Sequence, residues 1–296
     1  MERTSVKVVV PGSTSNLGSG FDTLGLALRL YTRVRLTPRA GTQLTLSTAV
    51  GARERAGAEE MIRGTADLFF RESGCKPFGF DLAIHGDVPV ARGLGFSASV
   101  RVGVLAGLNK MSGARLDRRR LLELATELEG HPDNASPSIF GGFTVSGWVE
   151  GGVRCFRFAV NQKWRFVTLI PRFRVSTEQA RELVPGTYSK EVAHHGLNRA
   201  ALLTAGFASG KPEALRGIFD DRVHQPFRES LVRQLYPVIQ AGQEAGAIGG
   251  FLSGSGSAII CLGLKNLERI AVAMQGQLPD SEIRILRAEN RGFRLG

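Results

Sequence analysis

The chain has 296 residues, 38 Lys and Arg against 27 Asp and Glu, a formal net charge of +11 and 43% apolar residues. This is globular composition and excludes a disordered chain. The length suggests two domains or one large one, and no run approaches the roughly 20 apolar residues of a membrane span. Cys75, Cys155 and Cys261 are far apart and make neither a CxxC metal pattern nor a disulfide framework. The stretch from Met1 to Pro11 is too short for a signal-peptide core. A reduced, cytoplasmic setting without membrane contact is therefore expected. The charge invites a nucleic-acid partner, but the basic residues are scattered. The densest run, Arg118-Arg119-Arg120, follows Asp117, a good N-cap, and reads as a solvated first helical turn.

In chain order, residues 6–10 are β-rich and Pro11 is expected to end that strand. Residues 11–22 read as a polar, glycine-rich loop, followed by a second apolar segment that is either strand or helix. Helical periodicity covers 59–73, with Met61, Ala66, Leu68 and Phe69 as anchors. Residues 80–84 alternate as a half-buried strand. A glycine turn at 93–95 opens a helix through Leu108, and Leu121, Leu124, Ala125 and Leu128 mark one face of another. A strand begins at 141–145. After a turn at 150–152 come strands at 156–160 and 166–170, then helices at 177–184, 197–209 and 229–245. A strand at 257–262, a helix at 266–277 and a strand at 282–287 complete the pattern. His194-His195 is expected in an extended polar surface loop, where neighbouring side chains point to opposite faces. Strands alternating with helices imply α/β or α+β architecture.

Four segments carry chemistry. The first is Pro89-Val90-Ala91-Arg92-Gly93-Leu94-Gly95-Phe96-Ser97-Ala98-Ser99. Its glycines permit a tight turn, and its N–H groups converge at a helix N-terminus, which suits a phosphate. It is not a Walker A loop, because no Gly-Lys-Ser/Thr follows. The second is Ser253-Gly254-Ser255-Gly256, between a helix and a strand. The third is the loop at 11–22, which offers Asn16 and Asp22. The fourth is Glu127-Leu128-Glu129-Gly130-His131-Pro132-Asp133-Asn134, with three carboxylates, a His and an Asn. Glu127 and Glu129 point to nearly opposite faces of a helix, so only one of them can reach a given site.

Together and in this order, these four segments resemble the GHMP family of small-molecule kinases, with Glu129-Gly130-His131-Pro132-Asp133-Asn134 most like the members that phosphorylate homoserine. The resemblance implies an α+β, two-domain GHMP-kinase-like fold. Its N-terminal ATP-binding domain would span 1–152, and a C-terminal ferredoxin-like α/β domain 153–296. It also implies transfer of the ATP γ-phosphate to the L-homoserine hydroxyl, as a step of threonine biosynthesis. Residues Pro89 to Ser99 would bind ATP. Ser97 and Glu127 would hold Mg²⁺, with Glu129 as the alternative ligand. Asn16, Asp22, Asp133, Asn134, Thr177, Arg181 and Arg228 would bind the amino alcohol. Asp22 and Asp133 suit its ammonium group, and the two arginines suit its carboxylate in bidentate fashion. Asn134 would orient the hydroxyl, with Asp133 as a candidate base. Two positions depart from the family pattern. Phe96 stands where a Ser is usual, and Met61 where an Asn often meets adenine. The resemblance leaves open a homodimer, another small alcohol as acceptor, and a nucleotide-binding homologue without turnover.

Overall fold

Pro11 does not end the first strand. The structure, a computed structural model, describes residues 4–47 and 52–296; residues 1–3, part of the leader argument above, lie outside it. Strand β1 (Val6–Asn16) continues past the proline, and its antiparallel pairing with β2 (Gly20–Arg39) shifts register between Pro11 and Gly12 and between Ser15 and Asn16. A bulge tolerates a residue that cannot donate to the ladder, so the proline shifts the strand rather than stopping it. The loop expected over 11–22 shrinks to a turn around 17–19. The ambiguous segment after it is all strand, with Leu24, Leu26, Leu28, Leu30, Val34 and Leu36 buried at the period of two.

Strand β3 (Leu44–Leu46) leads to helix α1 (Ala52–Ser73) and strand β4 (Gly79–Gly86), which pairs with β3 in parallel and β2 in antiparallel fashion. Helices α2 (Phe96–Ser112), α3 (Arg118–Glu129) and α4 (Ala135–Phe140) follow, and the hairpin β5 (Phe143–Val149) and β6 (Gly152–Phe158) joins the same sheet through β2. The Asp117 carboxylate caps α3 by accepting the Arg120 N–H at 2.7 Å, as its sequence position predicts. Val8, Val34, Phe69, Phe80, Leu105 and Leu121 form the core between this sheet and its helices.

The second half contributes β7 (Arg165–Ile170), α5 (Thr177–Glu182), α6 (Lys190–Ser209), α7 (Gln225–Arg228), α8 (Leu235–Glu244), β8 (Gly249–Leu252), β9 (Ile259–Gly263), α9 (Leu267–Gln277) and β10 (Glu282–Leu286). The sheet order β10-β7-β9-β8 is antiparallel throughout and has the split βαββαβ pattern of the ferredoxin-like fold. One face packs on α8 and α9 through Val167, Val238, Cys261 and Met274. The other joins the leucines of β2 in one core through Phe166 and Phe251, with Phe207 of α6. A last strand, β11 (Arg294–Leu295), returns to β1.

Several boundaries differ from the sequence reading. Helix α8 begins at Leu235 rather than near 229, because Pro237 fits only a first helical turn. Helix α6 begins at Lys190, capped by Ser189, so His194 and His195 lie on a helix and not in an extended loop; His195 Nε2 sits 3.1 Å from Asp220 Oδ2. Strand β8 is four residues long and opens with two glycines, which hid it. The expected division at 152/153 falls at the first residue of β6, inside the first sheet; the chain leaves that sheet only after Phe158 and comes back to it at β11. Among the described residues, no helix is long and apolar enough to cross a membrane.

Candidate active site

The helix α2 starts without a side-chain cap; its N-cap is Gly95, at φ 70. The first-turn N–H groups therefore remain available to an anion, and the helix dipole favours one there. The loop before it is locked in place. Gly93 has φ 72, and a Cβ on it would lie 1.9 Å from the Ser253 carbonyl oxygen. Ser253 Oγ donates to Gly93 O at 2.7 Å, and the Ala258 N–H to Arg92 O at 3.1 Å. Two glycine loops far apart in sequence thus dock on each other, and only glycine allows the approach.

A cleft of about 280 Å³ opens at this junction. Val90, Ala91, Arg92, Gly93, Leu94, Gly95, Phe96, Ser97 and Ala98 line one side of it. Asn16, Asp22, Asp133, Asn134, Thr177, Arg181 and Arg228 line the other, so nearly the whole expected set converges. Pro89 borders a neighbouring depression instead, and Ser99 is buried with its hydroxyl 2.7 Å from Thr32 Oγ1. A second, mostly apolar cavity of about 610 Å³ lies beyond Phe96, lined by Leu46, Met61, Ile84 and Val88. Phe96 and Ser97 border both cavities.

The polar end holds a compact network. Arg181 clamps Asp22 with two nitrogens, Nη2 to Oδ1 at 2.6 Å and Nη1 to Oδ2 at 3.1 Å. Asn16 donates to Gly254 O at 3.1 Å and accepts the Asp22 N–H at 3.0 Å. Asn134 Oδ1 accepts from Ser13 Oγ at 2.9 Å, and its Nδ2 donates to Ser15 Oγ at 2.9 Å. His131 Nδ1 bonds Asp133 Oδ1. Burial works against charge on both partners, but their mutual attraction wins: the His131 pKa is raised and the Asp133 pKa lowered. A carboxylate held this low is a poor proton acceptor. At the mouth, Thr177 Oγ1 and Ser255 Oγ lie 3.2 Å apart.

Arg228 is 2% exposed. Its Nε donates to Ala180 O at 3.0 Å, and its Nη1 to Gly254 O at 3.0 Å and His224 Nδ1 at 3.2 Å. Burial, with Arg181 adding to it, pushes its pKa down to about 10, so it stays charged at neutral pH. Among the described hydrogen bonds none occupies Nη2. Arg228 can therefore offer one nitrogen to the cleft, not the two-nitrogen fork expected of it; the fork belongs to Arg181.

The structure separates the two candidate metal ligands. Glu127 points away from the cleft, with its side chain 54% exposed and 3.2 Å from Arg71 Nη2. Glu129, at 12% exposure, accepts from Ser97 Oγ at 2.7 Å and lies 3.1 Å from Arg101 Nε. Two residues of α3 span some 200° of helix, and the face carrying Glu129 is the one turned to α2. The pair of hard oxygens on Ser97 and Glu129, beside an uncapped helix N-terminus, fits Mg²⁺. The sequence reading missed the site roles of Ser13 and Ser15, although their i, i+2 spacing on a strand puts both on one face. It also passed over His224, whose Nε2 partner, Gly18 O, is distant in sequence.

Comparison with known proteins agrees with this architecture. The family described as "GHMP kinases N terminal domain" matches residues 60–142, and "GHMP kinases C terminal" matches residues 203–280. The homoserine kinase of Clostridium kluyveri is 32% identical over 92% of this chain and 91% of its own length. That of Clostridium beijerinckii is 36% identical over 87% and 86%. Among solved structures, homoserine kinase from Cytophaga hutchinsonii superposes with a TM-score of 0.89 at 22% identity, covering 100% of this chain and 98% of its own. L. major mevalonate kinase in complex with R-mevalonate does so with a TM-score of 0.77 at 16% identity, covering 98% of each chain. Likeness at these identities speaks for the fold.

Proposed function

The chain belongs to the GHMP kinase family, and from that premise we propose that it transfers the γ-phosphoryl group of ATP to the side-chain hydroxyl of L-homoserine. The family makes it an ATP-dependent small-molecule kinase. The choice of an amino acid rests on one observation, the Asp22–Arg181 ion pair on the wall of the cleft. An amino acid carries both complementary charges. Its carboxylate takes over the Arg181 fork and meets Nη2 of Arg228, while its ammonium takes Asp22, with Asp133 close by. One ion pair is exchanged for two. Mevalonate has a carboxylate but no ammonium, and would leave Asp22 unpaired.

In the reaction, the hydroxyl oxygen bonds to the γ-phosphorus as the bond to the β–γ bridging oxygen breaks. ADP departs with that electron pair, and the hydroxyl proton passes to the medium. Little covalent help is needed; alignment and charge stabilisation supply most of the rate. The α2 amides meet the phosphates, and Asn134, held by Ser13 and Ser15, orients the hydroxyl. Asp133 contributes charge and position rather than basicity. Mg²⁺ on Ser97 and Glu129 would offset the negative charge of the β- and γ-phosphates. The apolar cavity beyond Phe96 suits the nucleoside, with Met61 on its wall. The free thiols of Cys75, Cys155 and Cys261 fit a cytoplasmic enzyme. A coupled ADP-release assay across homoserine, mevalonate and galactose tests the proposal. Turnover is expected with homoserine; turnover with only another alcohol, or with none, overturns it.

A further inference from the structure

We infer that His224 is a positioning residue for the phosphoryl acceptor: it fixes the Arg228 guanidinium with Nη2 facing the cleft and ties it to the turn at 17–19. This rests on the reading that Arg228 meets the substrate carboxylate.

Hydrogen-bond polarity fixes the state of the ring. His224 Nε2 lies 2.8 Å from Gly18 O, which can only accept, so Nε2 carries a proton. Its Nδ1 lies 3.2 Å from Arg228 Nη1, which can only donate, so Nδ1 presents a lone pair. The two partners select one state of the ring, neutral and protonated on Nε2. The ring is fully buried and stacks on Phe21, with centroids 5.3 Å apart. The Phe21 ring also lies beneath the guanidinium groups of Arg228 and Arg181, at 5.2 and 5.6 Å.

The segment bearing His224 is itself anchored to the same turn. Asp221 accepts the N–H groups of Val223, His224 and Gln225 at 2.8, 3.0 and 2.8 Å, and the Ser19 hydroxyl at 2.9 Å. Residues 221–228 are thus stitched to Gly18 and Ser19 by two side chains, and Arg228 is the end of that segment that reaches the cleft. Without an acceptor at Nδ1, Nη1 loses one of its two anchors and the guanidinium can rotate about Nε. The charged groups facing the ring are Asp221, Arg228 and Asp22. Burial and Arg228 hold the imidazole below its ordinary range, and Asp221 and Asp22 oppose this without reversing it. A proton added to Nδ1 would set N–H against N–H and charge against charge.

The test is a mutant cycle with steady-state kinetics. His224→Phe keeps the ring stack and removes both polar atoms; His224→Gln keeps one donor and one acceptor; Arg228→Met removes the guanidinium. His224→Phe is expected to raise KM for homoserine about tenfold, the loss of one charge-assisted bond, with KM for ATP and kcat nearly unchanged. His224→Gln recovers most of the loss, and His224→Phe adds less than about twofold to Arg228→Met. Equal losses in both KM values, or additive effects in the double variant, overturn the inference. So does an unchanged KM for homoserine in His224→Phe when Arg228→Met raises it. If Arg228→Met itself leaves that KM unchanged, the reading of Arg228 fails first. Should His224→Phe not fold, pH decides. The wild-type KM for homoserine rises as pH falls below the lowered imidazole pKa, and His224→Gln lacks that rise; identical profiles overturn the inference.

Discussion

Replacing Gly93 by alanine perturbs the junction of the two glycine loops at one atom. The new Cβ would sit 1.9 Å from Ser253 O, so ordinary contact near 3.4 Å requires the loops to part by ~1.5 Å. That movement breaks the 2.7 Å bond from Ser253 Oγ to Gly93 O and strains the bond from Ala258 N–H to Arg92 O. Each bond is worth about 1 kcal/mol, and an alanine at φ 72 adds about 1 kcal/mol of backbone strain. The expected loss of stability is about 2–4 kcal/mol, read by urea unfolding. Displacing the phosphate-facing amides by an ångström costs about 10²-fold in kcat/KM for ATP. Gly113→Ala is the control. Gly113 has a similar φ of 73 but nothing within 4 Å of its added Cβ, so only the strain remains. Equal effects of Gly93→Ala and Gly113→Ala on stability and ATP kinetics would refute the interlocked-loop reasoning.

Three further outcomes follow from the same geometry. Glu129→Gln is expected to raise the Mg²⁺ concentration for half-maximal activity at least tenfold and Glu127→Gln to leave it unchanged; the reverse order would restore Glu127 as the ligand. Asp133→Asn is expected to hold kcat within about tenfold, below the usual loss of a general base, while KM for homoserine rises; a kcat loss beyond 10³ would make Asp133 the base. The His131–Asp133 pair has a defined pH window. Asp133, its pKa lowered, contributes stability above the ordinary carboxylate range that is lost as pH falls; His131, its pKa raised, contributes stability that is full below about 6.5 and lost as pH rises through its folded value. The difference in unfolding free energy between wild type and Asp133→Asn, measured against pH, should therefore be largest between those limits; a flat difference contradicts the pairing.

How much of this was legible in the sequence depends on how local each signal is. The Asp117 cap lies three residues from the N–H that it accepts, and it read correctly. Pro11 misled because whether a proline ends a strand or sits in a bulge is decided by the partner strand. Glu127 and Glu129 were indistinguishable in sequence, because the elements facing α3 decide which one reaches the site. Arg71 draws Glu127 outward, and Ser97 and Arg101 draw Glu129 inward. Arg228 lines the cleft, but that it has no free fork was not legible, since Ala180, His224 and Gly254 take up its Nε and Nη1. His224 lies four residues before Arg228, but Gly18, which fixes its tautomer, is 206 positions away.

The central claim is that the cleft exchanges its own ion pair for those of a zwitterionic alcohol. Its most direct test compares kcat/KM for homoserine with that for 4-hydroxybutyrate, which lacks the amine, and 3-amino-1-propanol, which lacks the carboxylate. Each deletion leaves one of Asp22 or Arg181 without its new partner. The account predicts a loss of about 30- to 100-fold or more for either analogue, from about 2–3 kcal/mol per unpaired charge. Either analogue turning over as well as homoserine would contradict it.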